Sequence, residues 1–189
     1  TITNAGMIRA GKGQTIKNSG SGDTITLIEN TTSSATIKGE DDTIYNESGG
    51  IITTIKNAGT IQAWGSSNAV AINSTGATID TIENTGTIEA NNDGRGISTA
   101  SNGAINTITN SGTISGINAD GVIYTGSTGT IGTITNTSSG KIEGSDNDGA
   151  IKNVGTITTI NNSGEITDDT DNSILNRGTI TTINNTGTI

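Results

Sequence analysis

The octapeptide TINNSGEI, residues 159–166, raises the question that decides the fold. If its side chains alternated along a single β-strand, one face would hold Ile160, Asn162, Gly164 and Ile166. A buried face would then carry an amide and a glycine between two isoleucines. Similar octapeptides recur as TITNSGTI (107–114) and TINNTGTI (182–189), so the answer applies to the whole chain.

The composition favours β-structure but leaves disorder open. The 189 residues include 32 Ile, 3 Val, 2 Leu and no Phe, together with 28 Gly and no Pro. Ile and Thr favour strands, whereas strong helix formers are scarce. Because large aliphatic residues make up only about a fifth of the chain, composition alone would also fit a disordered protein. The periodicity of the sequence has to decide between the two.

The charge pattern argues against nucleic acid as a partner. Eighteen acidic and nine basic residues give a net charge of −9, with no basic cluster and only three aromatic residues. No apolar run approaches the roughly 20 residues of a membrane-spanning helix, and no signal peptide is present. The absence of cysteine excludes disulfides and thiolate metal sites, but it excludes no cellular compartment.

An internal repeat dominates the sequence. Its marker is an asparagine with an isoleucine two positions earlier, and successive asparagines are 26, 27, 27, 26, 26, 26 and 23 residues apart. A disordered chain would not keep this register over eight units. The marker asparagines are Asn4, Asn30, Asn57, Asn84, Asn110, Asn136, Asn162 and Asn185.

The repeat predicts an all-β fold, a right-handed parallel β-helix of about eight coils with repeats of about 26 residues. Each unit contains three short isoleucine-marked segments, shows no helical spacing and is too long for a hairpin. The hexapeptide steps of left-handed β-helices are missing. Polar Asn/Asp-Gly turns absorb the variation in length, so residues 1–189 are interpreted as one solenoid domain.

In this fold the octapeptide is interpreted as a strand, a corner and the start of the next strand. The eight asparagines would point inward and pass hydrogen bonds from one side-chain amide to the next, forming a structural ladder. We expect left-handed backbone at the corner, which asparagine tolerates, and Gly164 would let the chain turn closely there.

Four octapeptides carry a family resemblance: TIKNAGTI (54–61), TIENTGTI (81–88), TITNSGTI (107–114) and TINNTGTI (182–189). They resemble the passenger β-helices of bacterial autotransporters, in the group of AIDA-type and antigen-43-type adhesins. The resemblance implies a piece of a longer passenger, exported to the bacterial cell surface through a C-terminal outer-membrane barrel. It also implies adhesion or self-association, as in biofilms, with no membrane insertion by this segment.

No catalytic site and no cofactor are expected. The chain contains neither His nor Cys, so nucleophilic sites of the Ser-His-Asp or Cys-His type cannot form within it. The acidic clusters 40–42 and 168–171 fall in predicted turns, where solvated charge is the simpler interpretation. The stretches SDNDG (145–149) and DDTD (168–171) offer a candidate calcium site, whose ligands would be Asp146, Asp148, Asp168 and Asp171.

A threonine stripe is the candidate association face. The position before each marker isoleucine would align up the rod, and its main members are Thr54, Thr81, Thr107, Thr133, Thr159 and Thr182. β-Branched threonine suits a strand for structural reasons alone. A second copy of the chain could instead dock there, and an ice-binding array of Thr-x-Thr is a third interpretation. Asp80, Asn106 and Gly132 were expected to break such an array.

The predicted function is adhesion or self-association by a rigid polar stalk, with a second copy, a surface receptor or a glycan as the partner. Two alternatives stay open. The segment could be a spacer that presents a distal domain, or a carbohydrate- or protein-binding module that acts through its variable loops. Trp64, in the loop QAWGSS (62–67), would be either packed on the nearest strand or exposed to a partner.

Overall fold

The computed structural model describes residues 1–65, 68–117, 120–145 and 149–189. Within these ranges the regular secondary structure consists of 22 β-strands and no helix. The strands form three sheets, in which all neighbours run parallel and every third strand along the chain belongs to the same sheet. Each coil therefore contributes one strand to each sheet. The predicted parallel β-solenoid with repeats of about 26 residues is confirmed, and its right-handed sense stays a prediction.

The strands are named in chain order. Sheet A contains β1 (Ile2–Asn4), β4 (Thr24–Asn30), β7 (Ile51–Asn57), β10 (Thr78–Asn84), β13 (Ala104–Asn110), β16 (Thr130–Asn136), β19 (Thr156–Asn162) and β22 (Thr179–Asn185). Sheet B contains β2 (Met7–Arg9), β5 (Thr36–Gly39), β8 (Thr60–Ala63), β11 (Thr87–Ala90), β14 (Thr113–Ile117), β17 (Lys141–Ser145) and β20 (Glu165–Asp168). Sheet C contains β3 (Ile16–Ser19), β6 (Ile44–Glu47), β9 (Val70–Thr75), β12 (Arg95–Ala100), β15 (Ile123–Thr125), β18 (Ile151–Asn153) and β21 (Ile174–Asn176).

The core is a set of isoleucine rows that run along the rod. Ile82, for example, pairs with Ile55 on one side and Ile108 on the other, and all three are completely buried. Equivalent rows come from sheets B and C, as at Ile88 and Ile97. Stacked β-branched side chains fill this narrow interior without aromatic residues, which explains the excess of isoleucine.

Sheet A strands bend in their middle. Two partly exposed residues, Asp80 and Thr81 in β10, lie between the buried Ile79 and Ile82, where strict alternation would place one. The same arrangement repeats in β7 and β16. As a result, sheet A presents two adjacent outward rows at this bend, and the alternation that governs the rest of the strand does not predict them.

The octapeptide TINNSGEI (159–166) is a strand, a corner and the start of a new strand, as predicted. Strand β19 ends at Asn162 and β20 begins at Glu165. The expectation of left-handed backbone at this corner is wrong, because the positive φ angles of the described residues lie elsewhere, as at Asn92 (55°) and Asp93 (62°). The glycine is needed for space, since a Cβ on Gly164 would overlap the Gly140 and Thr137 carbonyl oxygens of the previous coil.

The corner glycines provide a prediction of stability. Gly86→Ala is expected to destabilise the fold by about 1–3 kcal/mol, because the new methyl group would overlap the Gly59 carbonyl oxygen. Gly6 occupies the same corner in the first coil and has nothing within 4 Å of an added Cβ, so Gly6→Ala is the matched control. Urea denaturation of both variants checks this, and equal midpoints would contradict the packing argument.

Candidate association face and buried polar ladders

The predicted threonine stripe forms a continuous outward row on sheet A. Thr81 pairs with Thr54 and Thr107, and the row continues through Thr133, Thr159 and Thr182. Its members are partly exposed, and Thr182 is fully exposed. Leu27 replaces threonine in the second coil. The structure therefore aligns these side chains, while their role in association stays a proposal.

The charges beside the stripe divide sheet A into two halves. Glu29, Lys56 and Glu83 stack next to the stripe in strands β4, β7 and β10, and Asp80 lies on its other side. Lys56 and Glu83 form an ion pair at 3.3 Å. In the next four strands the same positions are uncharged: Thr109, Thr135, Asn161 and Asn184.

We call the outward side of strands β13, β16, β19 and β22 the uncharged face. All of its residues are described, and none of them is charged, in a chain whose net charge is −9. Eleven of the sixteen are threonine. The face consists of Ala104, Asn106, Thr107, Thr109, Thr130, Gly132, Thr133, Thr135, Thr156, Thr158, Thr159, Asn161, Thr179, Thr181, Thr182 and Asn184.

The eight marker asparagines end the sheet A strands in one inward row. The side-chain amide nitrogen (Nδ2) of each donates to the side-chain oxygen (Oδ1) of the next, as from Asn84 to Asn110 at 2.8 Å and from Asn110 to Asn136 at 2.9 Å. All seven links run in the same direction, from the N-terminal to the C-terminal end of the rod.

Corner carbonyls complete the bonding of each amide. Asn110 Nδ2 also lies 3.1 Å from Gly112 O in its own coil and 3.0 Å from Lys141 O in the next coil. The amide thus holds the corner of one coil and the first residue of the following sheet B strand. Asn110 and Asn136 are completely buried. From Asn4 to Asn162 the row is therefore a buried part of the structural framework.

Breaking this row is expected to be costly. Asn110→Leu removes the acceptor of Asn84 Nδ2 and the donor to Asn136 Oδ1 in a buried site, and each group left unpaired costs about 1–3 kcal/mol. We expect a clear fall in melting temperature, measured by circular dichroism. Asn106→Leu is the control, because Asn106 is exposed and its amide bonds only Asp80 among the side-chain contacts described. Equal melting temperatures for the two variants would contradict a stabilising ladder.

A second inward polar row ends the sheet C strands, and it was not anticipated from the sequence. Its outer parts form amide links, from Asn18 to Asn46 at 2.9 Å and from Asn153 to Asn176 at 2.8 Å. Between them the row changes to serine and threonine. The full register is Asn18, Asn46, Ser74, Thr99, Thr125, Asn153 and Asn176. Every coil has a polar residue at this inward position, although the residue type changes from coil to coil. This recurring polarity is the sequence signal that could have revealed the row.

The calcium prediction gains no support from the described residues. Asp168 Oδ1 accepts the backbone N–H groups of Thr170 and Asp171, at 3.0 and 2.8 Å, which is an ordinary Asx turn. The described residues contain no group of three carboxylates or other metal-binding side chains. Asp146 and Asp148 lie outside the described residues, so their predicted role as ligands stays a prediction.

A partly buried carboxylate, that of Asp42, lies beside sheet C. The two carboxylate oxygens of Asp42 accept the Val70 backbone N–H and the Asn73 side-chain amide, each at 2.8 Å. Burial raises the pKa of Asp42 above 3.8, although these two hydrogen bonds and the charge of Arg95 act to lower it. The folded protein therefore binds a proton here more readily than the unfolded chain does.

This pKa shift has a definite sign in stability. As pH rises from 3.8 through the raised pKa, Asp42 has to ionise in a partly desolvated site, so its contribution to the free energy of unfolding declines and then stays level. Asp42→Asn cannot ionise. We expect denaturation from about pH 3 to about pH 7 to show wild type losing stability relative to this variant over that window. A stability difference that is the same at every pH would contradict the assignment.

The aromatic residues are packed against basic side chains. The Arg9 guanidinium lies 5.2 Å from the centre of the Trp64 ring, two coils away along the rod, and Trp64 is partly buried. The arrangement favours the packed interpretation of Trp64. Arg95 covers the Tyr124 ring at 4.2 Å and forms an ion pair with Asp120 at 2.7 Å. Each of these two rings therefore has a guanidinium over one of its faces.

A shallow groove of about 270 Å³ lies on sheet B. It is lined by small, polar and acidic side chains, including Ser115, Glu143 and Asp169, with Ile117 as its large apolar residue and no aromatic residue. Glycan sites typically combine polar groups with apolar or aromatic surface, so this groove favours no particular ligand.

Comparison with other proteins adds no identity. The chain matches no family model, no curated protein and no solved structure. Among the described residues, no helix is long and apolar enough to cross a bilayer.

Proposed function

We propose that this chain is a rigid segment of a bacterial surface protein, and that it self-associates through the uncharged face of sheet A. The observation that carries the proposal is the absence of charge from the sixteen outward positions of β13, β16, β19 and β22, all of them described. A second copy of the chain is the partner that this surface fits best.

Electrostatics favour this face over the others. Two chains that each carry a charge of −9 repel one another, and the repulsion is smallest where neither surface is charged. Sheet B, by contrast, presents Glu89 and Glu143 in its outward row, together with Lys38. Because salt screens exposed charges, association through an uncharged face should strengthen as ionic strength rises.

The geometry of the face is identical in every copy. Stacked coils repeat about every 4.8 Å, so the threonine and asparagine rows of one rod match the spacing of the rows on another. Their hydroxyl and amide groups can both donate and accept hydrogen bonds. Four coils of seven-residue strands offer on the order of 400 Å², about half of what a stable interface contributes per partner.

A contact of this size is weak by itself and gains strength through repetition. Many copies on opposing surfaces would form many such contacts at once, and the apparent affinity would rise through multivalency. This is the behaviour expected of a self-associating adhesin. The autotransporter resemblance of the repeated octapeptides supports the same assignment, with the bacterial cell surface as the proposed location.

The test places a charge in the centre of the face. Thr133→Glu is expected to weaken self-association by about tenfold or more in Kd, since two-fold-related copies would oppose like charges across the contact. Sedimentation velocity over a range of protein and salt concentrations measures the effect. Wild type should associate increasingly as salt rises, and the variant should not.

The matched control puts the same charge on another threonine row. Thr87 is partly exposed on sheet B, between Thr60 and Thr113, so Thr87→Glu changes the net charge equally without touching the uncharged face. Equal weakening by both variants would identify a general charge effect. A strict monomer at all concentrations and salts would overturn the proposal and favour a spacer.

A further inference from the structure

Three consecutive coils hold buried oxygen atoms that make no hydrogen bond with any described residue. These atoms are Thr99 Oγ1, Thr125 Oγ1 and Asn153 Oδ1, and all three residues are completely buried. They are stacked in register in the sheet C row, in coils four, five and six. A buried polar group without a partner is costly, so three in line require an explanation.

The spacing of the coils shows why these side chains cannot bond one another. Stacked oxygens lie about 4.8 Å apart, whereas a hydroxyl hydrogen bond spans about 2.5–3.0 Å. An asparagine bridges the gap because its amide extends along the rod, as from Asn18 to Asn46 at 2.9 Å. Threonine is shorter and leaves the gap open.

We propose that the interior of the rod binds a short file of water molecules at this interruption, one between Thr99 and Thr125 and one between Thr125 and Asn153. A water that accepts or donates two hydrogen bonds of about 2.8 Å, meeting at roughly 120°, spans 4.8 Å. This angle is close to the one that water prefers.

Each water also has a third partner in the repeat. Asn46 Nδ2 donates to Thr78 O in the following coil at 2.8 Å, and Asn153 Nδ2 donates to Thr179 O at 2.9 Å. The carbonyls at the equivalent positions beside Thr99 and Thr125 belong to Thr130 and Thr156. Three partners is the usual number for a buried water.

The chemistry of the site selects water over a cation. The three side-chain oxygens are neutral, and Ca²⁺ for example takes six to eight oxygen ligands. Hydroxyl groups can donate as well as accept, which suits a neutral ligand with both capacities. The site lies inside the rod, where the sheet C strands end. It uses only the main-chain carbonyls of Thr130 and Thr156, whose side chains belong to the uncharged face.

Thr125→Val distinguishes a hydrated row from a dry one. If water bridges the row, valine removes a partner from both waters and the melting temperature falls. If no water is present and the Thr125 hydroxyl is unpaired, valine removes the cost of burying that hydroxyl. The melting temperature then rises, which would overturn the proposal. Thr125→Asn should raise the melting temperature, because the new side-chain amide can reach Asn153 Oδ1 and displace the water between residues 125 and 153. Thr81→Val, on the surface, is the control for the substitution itself.

High-resolution crystallography gives the direct test. The wild-type protein is expected to show two ordered water peaks, one between Thr99 and Thr125 and one between Thr125 and Asn153. The Thr125→Asn variant should lose the second of them. Crystals grown in rubidium salt provide the check on ligand identity. An anomalous peak in the row would show that a monovalent cation occupies it instead of water, which would overturn the proposal. A row without electron density between the side chains would overturn it as well.

Discussion

Every inward side chain of this solenoid has to be compatible with its counterpart one coil away. The parallel register stacks isoleucine on isoleucine and asparagine on asparagine, about 4.8 Å apart. Isoleucine meets this requirement by shape, and asparagine meets it because one amide can donate to the next while accepting from the one before. The corner glycines meet it by having no side chain where the backbone of the previous coil passes.

The same constraint explains how much of the molecule the sequence revealed. Ile82 and Asn84 recur with their identity unchanged, so the coil length, the parallel sheets and the row of marker asparagines followed from spacing alone. Gly164 was assigned to a corner correctly, as a residue that lets the chain turn closely, whereas the left-handed backbone expected at the same corner is absent. A requirement for space and a requirement for left-handed backbone both select glycine, and only the φ angle separates them.

The repeat pattern did not reveal features in which equivalent positions share a property but not a residue type. The sheet C row passes from Asn46 through Ser74 and Thr99, which share inward polarity but no recognisable motif. The uncharged face was missed because Asn106 and Gly132 were considered only as interruptions of a Thr-x-Thr array. In the structure they lie beside the stripe, since each sheet A strand turns two consecutive residues outward, and Thr109 and Thr135 follow the stripe by ordinary alternation.

The uniform direction of the asparagine links gives the rod an electrical polarity. Each side-chain amide carries a dipole with its positive end on the N–H side, and every link from Asn4 to Asn185 points that end the same way. The dipoles therefore add along the axis and polarise one another, strengthening each bond in the series. This line of partial charge runs along the inner side of the corner between sheets A and B, and the loss of an asparagine from its middle would divide it into two shorter and weaker segments.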